Sequence, residues 1–190
     1  MELDITTMDP DERDRRARAF FRDGYNCCQS VLMAFQDITG LSGEQTATLS
    51  SGFGGGMGRL REVCGSVSAM TFMAGFISPA VNPGNMDERT ANYALVQEFA
   101  SAFRERHGRI VCKDILQLRA QQKQKGNGGC PATIVMPVSG TAAESQEKTT
   151  DAFSPRPSER TEEFYTKRPC ERCIGDAARI IAEKLAEGKN

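Results

Sequence analysis

Cysteine dominates the reactive chemistry available to this chain of 190 residues, which contains seven cysteines and a single histidine, His107. An odd number of thiols does not fit the fully paired disulfide frameworks of small secreted proteins. One histidine cannot supply a cluster of imidazole ligands, and it makes Cys–His–Asp nucleophilic catalysis an unfavoured hypothesis. The residue types therefore point to thiol redox chemistry or to a thiolate metal site.

A glycine-rich stretch precedes Cys64. Five glycines occur between residues 52 and 58, and such a run is typical of backbone with positive φ or of a place where another group approaches the main chain closely. The candidates for binding a cofactor here are Gly54, Gly55, Gly56 and Arg59. Nucleotide-binding loops are disfavoured, because neither the G-x-G-x-x-G register after a strand nor a Lys-Ser or Lys-Thr pair after the glycines is present.

Cys64 is predicted to lie in the first turn of a buried helix over residues 65–77, which ends before Ser78 and Pro79. At that position the helix dipole and free backbone N–H groups stabilise a thiolate, and Arg59 and Arg61 can add positive charge. The simpler alternative is that Cys64 is a small buried hydrophobic residue, the usual role of a free cysteine. The first interpretation predicts a reactive or metal-binding thiol.

Capping residues mark four more helix starts, which are Asp9 with Pro10, Asn26 with Gln29, Ser42 with Gln45, and Asn85. We expect these helices to end near Phe21, at Gly40, near Ser50 and at Gly108, respectively. His107 then lies at the C-terminus of the last of them. A surface or capping role is therefore expected for this histidine.

Two further helices are predicted to begin with cysteines, one near Cys112 and one that runs from Cys170 to about Gly188. Cys170 and Cys173 form a C-x-x-C pair on one helix face, which suits a dithiol or two metal ligands. The cysteines expected in the first turn of separate helices are Cys27, Cys64, Cys112 and Cys170. Buried structural cysteines have no reason to share that position, whereas thiolates have an electrostatic one, so we predict that these four form one site.

The pattern predicts an all-α fold, with residues 1–190 forming a single-domain helical bundle. Residues 121–160 lose helical periodicity and are expected to be a flexible inserted loop. Within it, Cys130 is expected to be an exposed incidental thiol, and residues 131–137 could hold a short extended piece. The small residues Gly65 and Ala69 would permit a close helix contact, including one in a homodimer.

Charge and hydropathy exclude several classes of partner. The net charge of −1 provides no basic surplus for nucleic acid. The first residues lack the apolar core of a signal peptide, and no segment has the roughly 18 consecutive apolar residues of a membrane span. We therefore expect a cytoplasmic protein whose partner is a redox protein or a small molecule.

Several of these motifs together resemble the C_GCAxxG_C_C family of redox-active proteins. The resemblance is carried by Asn26-Cys27, the glycine run of residues 51–56, the stretch from Cys64 to Ala69, Cys112 and Cys170. It implies a helical fold, redox use of the four cysteines, and kinship with a domain similar to part of a split-Soret cytochrome, an electron-transfer protein. Ser66 and Ala69 stand where the family motif has alanine and glycine.

Two functions remain open at this stage. The leading hypothesis is a thiol redox or electron-transfer protein in which Cys64 and one partner interconvert between dithiol and disulfide, without a cofactor. The alternative is a binding module that holds zinc or an iron–sulfur cluster through Cys27, Cys64, Cys112 and Cys170, with Cys173 as a further candidate ligand. A purely structural helical domain is the third, simplest possibility.

Overall fold

The computed structural model describes residues 8–117 and 154–187, and within these ranges the fold is all-α. A 3₁₀ turn at Ser51–Phe53 follows the fourth helix. The helices are α1 Pro10–Arg22, α2 Cys27–Met33, α3 Gln36–Thr39, α4 Gly43–Ser50, α5 Gly65–Ile77, α6 Met86–His107, α7 112–117, α8 Glu162–Lys167 and α9 Cys170–Glu187. None of the described helices is both long enough and apolar enough to cross a membrane.

The capping side chains act as the sequence predicts. The Asp9 carboxylate accepts from the backbone N–H of Asp11, and the Asn85 amide oxygen accepts from the first turn of α6. Asn26 and Ser42 both form complete capping boxes with the glutamines three residues later. Gly40 and Gly108 end their helices in the left-handed conformation.

The single helix expected between Asn26 and Gly40 is wrong, because the chain forms two short helices, α2 and α3. At the break, the N–H groups of Ala34 and Phe35 bond to carbonyls three residues earlier, which tightens the last turn of α2. The buried guanidinium of Arg13 donates a hydrogen bond to the Ala34 carbonyl and forms an ion pair with Asp37. A long-range contact from α1 thus stabilises an end that no local signal marks.

Helix α9 lies at the centre of the packing and contacts α1, α2, α5 and α6. It packs most extensively along α1, so the last described segment lies against the first. The largest fully buried side chains of the core are Phe35, Phe99, Phe103, Met70, Met73, Ile174, Ile181 and Val31. The N-terminal ends of α2, α5, α7 and α9 converge around this core, and each carries a cysteine.

Helix α8 is not predicted by the sequence pattern. Thr161 caps it by accepting from the backbone N–H of Phe164, and Phe164 packs against Phe21 of α1 with 6.1 Å between ring centroids. Residues 154–160 before it are not helical. Cys130 and the extended piece expected at 131–137 lie outside the described residues.

Candidate functional site

The glycine-rich turn folds back so that Cys64 and Cys112 become neighbours. Met57, Arg59 and Arg61 have positive φ although none is glycine, a backbone conformation that costs free energy and is concentrated at functional sites. After the turn, the Cys64 N–H donates to the Ile110 carbonyl at 2.8 Å and the Cys112 N–H donates to the Glu62 carbonyl at 2.6 Å. This isolated antiparallel bridge holds the starts of α5 and α7 side by side.

Glycines in this region accommodate the protein's own chain. A Cβ atom on Gly54 would lie 2.8 Å from the Asn26 Cβ, and one on Gly56 would lie 2.8 Å from the Cys112 Cβ. A Cβ on Gly65 would overlap the Cys27 sulfur. The close approach expected from the glycine run is therefore made by α2 and α7, and it brings Cys27 and Cys112 towards Cys64. The close helix contact expected at the small residue Gly65 is made with Cys27 of the same chain.

One cavity of about 80 Å³ collects the cysteines that the sequence singles out. Its lining cysteines are Cys27, Cys64, Cys112, Cys170 and Cys173. Cys27 and Cys170 are half-buried, while the other three are buried. Cys28, although adjacent to Cys27, lies in the core and does not line this cavity.

Cys64 is the N-cap residue of α5, one position before the first turn expected for it. A hydrogen bond from the Cys173 thiol is the main reason why the pKa of Cys64 falls to about 7. Burial opposes this, but the backbone N–H groups of Ser66 and Val67 and the Ser66 hydroxyl add to the stabilisation of the thiolate. The pKa of Cys64 is thus lowered at a helix start, in the direction that the sequence argument predicts. Hydrogen bonds, and not the charges of Arg59 or Arg61, are the leading cause of this lowering.

The neighbouring thiols are held in the protonated form. Burial, reinforced by the negative charge of Cys64, raises the pKa of Cys27 and of Cys112. The same two causes raise the pKa of Cys170 to about 12. The hydrogen bond to Cys64 and burial raise the pKa of Cys173 as well. Arg61 acts on Cys112, where it partly offsets the rise. At neutral pH about half of Cys64 is therefore thiolate, while the four other cysteines of the cavity stay protonated.

Aromatic and arginine side chains form another part of the wall. Arg160 stacks over Phe21 and Phe164 at 4.3 and 4.9 Å from the ring centroids, and Arg168 lies 4.7 Å from the Phe164 centroid. Arg160 also donates to the carbonyl of Tyr25 at 3.0 Å. Sequence reasoning missed all four residues, because Phe164 belongs to the unpredicted helix α8 and no local pattern connects it with Phe21.

His107 does not have the surface role expected for it. Its side chain is only 6% exposed, and its ring lies 4.4 Å from that of Phe103. Nδ1 lies 3.6 Å from the Cys173 sulfur, and Nε2 lies 3.0 Å from a carboxylate oxygen of Asp176, although too bent for an aligned hydrogen bond. The sequence did contain one sign of this cluster, because Cys173 and Asp176 are three residues apart and therefore share a helix face.

The cysteine cluster has the soft donors that zinc or an iron–sulfur cluster prefers. Among residues 8–117 and 154–187, however, no three Cys, His, Asp or Glu side chains stand in an arrangement that would hold a metal ion. Metal binding at Cys27, Cys64, Cys112, Cys170 or Cys173 would therefore require the side chains to move as well as to lose protons.

Comparison with known proteins adds one match. A family model described as "Putative redox-active protein (C_GCAxxG_C_C)" matches residues 25–184, which is most of the chain and includes every cysteine of the cavity. No curated protein and no solved structure matches.

Proposed function

The chain belongs to the C_GCAxxG_C_C family of redox-active proteins, and from that premise we propose that it is a thiol-based redox or electron-transfer protein with Cys64 as its nucleophile. Cys27, Cys112 and Cys170 are the thiols that surround Cys64 and relay or resolve its oxidised forms. We propose that it works in the cytoplasm, where thiols are kept reduced, a compartment that suits the odd number of cysteines.

One observation carries this proposal: Cys64 has a pKa of about 7 and shares its cavity with thiols that remain protonated. The thiolate is the nucleophile in thiol–disulfide exchange, and the best attacking thiol has a pKa near the ambient pH. A single thiolate among protonated thiols also defines which sulfur attacks first. The other thiols then serve as successive partners, not as competing nucleophiles.

The reaction that follows from this arrangement is disulfide exchange. The Cys64 thiolate attacks one sulfur of a disulfide RSSR, forms a mixed disulfide and releases RS⁻, which takes up a proton. A neighbouring thiol then attacks the Cys64 sulfur, forms an internal disulfide and releases the second RSH. Counted from the two protonated thiols, the protein loses two electrons and two protons, and the substrate gains them; the proton of Cys64 reaches the first RS⁻ through the solvent.

The cavity favours a disulfide carried by a small molecule or by a protein side chain. Its volume of about 80 Å³ accommodates several water molecules and hence the sulfur end of a substrate. Phe21 and Phe164 provide an apolar wall, and Arg160 and Arg168 add positive charge at the same side. The half-buried Cys27 and Cys170 are the thiols through which a bulkier redox partner would reach Cys64.

The test uses reduced protein purified without oxygen and one equivalent of bis(2-hydroxyethyl) disulfide. Intact mass should fall by two hydrogens per chain as two equivalents of 2-mercaptoethanol appear. Cys64→Ser should retain its helical circular dichroism and stay reduced. Cys28→Ala is the matched control, because Cys28 is buried outside the cavity and its loss should leave the oxidation unchanged. Equal oxidation of the Cys64→Ser variant would refute the proposal.

Metal analysis and a visible spectrum of the same oxygen-free preparation separate the proposal from its alternative. A redox site of thiols alone predicts a colourless protein without stoichiometric zinc or iron. A brown protein, or one zinc per chain that is lost with Cys64→Ser but kept in Cys28→Ala, would establish the cysteine-ligated metal module instead.

A further inference from the structure

Four side chains form a continuous chain of contacts that ends at Cys64. The Cys173 thiol hydrogen-bonds to the Cys64 sulfur, and on its other side the Cys173 sulfur lies 3.6 Å from His107 Nδ1. His107 Nε2 in turn lies 3.0 Å from Asp176. The family pattern of four cysteines does not include Cys173, and the proposed function does not yet use His107 or Asp176.

The fold determines this alignment. Cys173 and Asp176 are three residues apart on α9 and therefore share a face, while His107 is the last residue of α6 before the left-handed Gly108. The histidine ring is buried against Phe103. Two further charged groups lie near the Asp176 carboxylate, Arg106 at 3.9 Å and Arg172 at 3.5 Å. Their positive charges offset the negative charge of Asp176, and the other ring nitrogen of His107 faces Cys173.

We propose that Cys173 is the thiol that closes the disulfide with Cys64, that His107 receives and passes on the Cys173 proton, and that Asp176 positions the imidazole. This inference rests on the proposed function, since it names the partner thiol of Cys64. Cys173 and Cys64 line the same cavity, and the Cys173 thiol donates a hydrogen bond to the Cys64 sulfur.

The exchange of hydrogen bonds explains why both contacts are needed. In the reduced protein the Cys173 S–H donates to the Cys64 thiolate. Once Cys64 is bound in the mixed disulfide Cys64–S–SR, that acceptor is gone, and the S–H turns to His107 Nδ1. Cys173 then attacks the Cys64 sulfur, the S–SR bond breaks, and the proton passes through His107 to the departing RS⁻. The products are the Cys64–Cys173 disulfide and RSH, and His107 is unchanged.

The first experiment identifies the disulfide. Reduced full-length protein is treated with bis(2-hydroxyethyl) disulfide, quenched with acid, digested without reductant and analysed by mass spectrometry. We expect a linked pair of peptides that contain Cys64 and Cys173. In Cys173→Ala the reaction should stop at the 2-hydroxyethylthio adduct on Cys64, whereas Cys28→Ala, a change outside the cavity, should form the same Cys64–Cys173 bond as the wild type.

The outcomes separate this inference from the function on which it rests. An internal disulfide between Cys64 and another cysteine in the Cys173→Ala variant would overturn the inference and leave the redox function standing. A wild-type protein that never carries an adduct or a disulfide at Cys64 would overturn both. Retention of the adduct in Cys173→Ala supports both.

The second experiment tests His107 through the rate at which the preformed Cys64 adduct closes. His107→Gln keeps a hydrogen-bonding side chain but cannot relay a proton, so closure should slow by about 100-fold and its rate should rise with pH more steeply than in the wild type. Asp176→Asn should slow closure by about 10-fold. Arg104→Gln, an exposed change in the same turn of α6, is the control and should have no effect. Wild-type closure rates and pH profile in His107→Gln would refute the role of His107.

Discussion

Gly65 lies so close to Cys27 that a methyl group in place of its hydrogen would overlap the Cys27 sulfur. The same methyl group would come within 2.8 Å of the Phe53 carbonyl oxygen. This contact between the first turns of α5 and α2 is how Cys27 comes to face Cys64 across the cavity.

Gly65→Ala should consequently destabilise the protein by about 1–3 kcal/mol, the usual cost of overpacking a tight site. Gly75→Ala in the same helix is the matched control, because nothing lies within 4 Å of its added methyl group. That change should stabilise the fold by about 0.5–1 kcal/mol. Urea unfolding under reducing conditions measures both, and equal effects would show that the contact with Cys27 is not tight.

Cys64 should be the first thiol to react with iodoacetamide at pH 7. Its pKa of about 7 leaves about half of it as thiolate, whereas Cys28 and Cys170, with pKa values of about 12, remain protonated. The rate of Cys64 alkylation should rise with pH and reach half its maximum near pH 7. We also expect Cys64 to react before Cys130. Peptide mass mapping of partly alkylated protein measures the order in which the cysteines react. If Cys64 reacts only after denaturation, the interpretation of Cys64 as a small buried hydrophobic residue is supported.

The free energy of unfolding should change with pH in the alkaline range, because the pKa values of these thiols differ between the folded and the unfolded protein. The pKa of Cys64 is lower in the folded protein, so its contribution is present above the unfolded value of 9.0 and is lost as pH falls towards 7. The pKa of Cys28 is raised to about 12 by burial and by Cys64, so its contribution is present below 9.0 and is lost as pH rises towards 12. Stability should therefore fall above pH 9, because Cys64 is then ionised in both the folded and the unfolded state, whereas the thiols with raised pKa values ionise only in the unfolded state.

Cys28→Ala provides the check on this pH dependence. Each thiol with a raised pKa contributes a slope of about 1.4 kcal/mol per pH unit above pH 9. Removing Cys28 should reduce the alkaline slope by that amount, whatever constant cost its cavity adds at all pH values. Urea unfolding at several pH values between 8 and 11 measures the slope, and an unchanged slope would contradict the burial of this thiol in the protonated form.

The glycine turn yields a second matched pair of substitutions. Gly56 and Gly58 both have positive φ, so alanine at either site should cost about 1–2 kcal/mol. Only at Gly56 would the methyl group also meet Cys112 and the Glu62 backbone, at 2.8 and 2.9 Å. Gly56→Ala should therefore destabilise the protein more than Gly58→Ala and should alter the alkylation rate of Cys112. Identical behaviour of the two variants would show that Gly56 does not position Cys112.

Limited proteolysis should cut first within residues 121–160, the proposed inserted loop. Because α9 packs along α1, the two fragments should stay associated after the first cut and elute together in size-exclusion chromatography. Peptide mapping of the early fragments locates the cut. A first cleavage within α5 or α6 would show that the boundary of the helical domain is misplaced.

The sequence by itself determined the features that depend on neighbouring residues. Helix starts at Asp9, Asn26, Ser42 and Asn85 are confirmed because a capping side chain bonds to N–H groups two or three residues away. The placement of Cys27 in the first turn of α2 follows from the Asn26 cap. The four cysteines that the sequence singles out line one cavity together with Cys173, and their role in redox or metal chemistry stays a prediction.

Tertiary structure alone decided the features that depend on contacts between distant segments. The break between α2 and α3 needs Arg13 of α1, and α8 is placed by the packing of Phe164 on Phe21. A surface or capping role was expected for His107 because it lies at the C-terminus of a helix, yet α6 and α9 bury its ring between Cys173 and Asp176. The free energy that holds these groups comes from packing between helices, and the local sequence pattern contains no information on which helices meet.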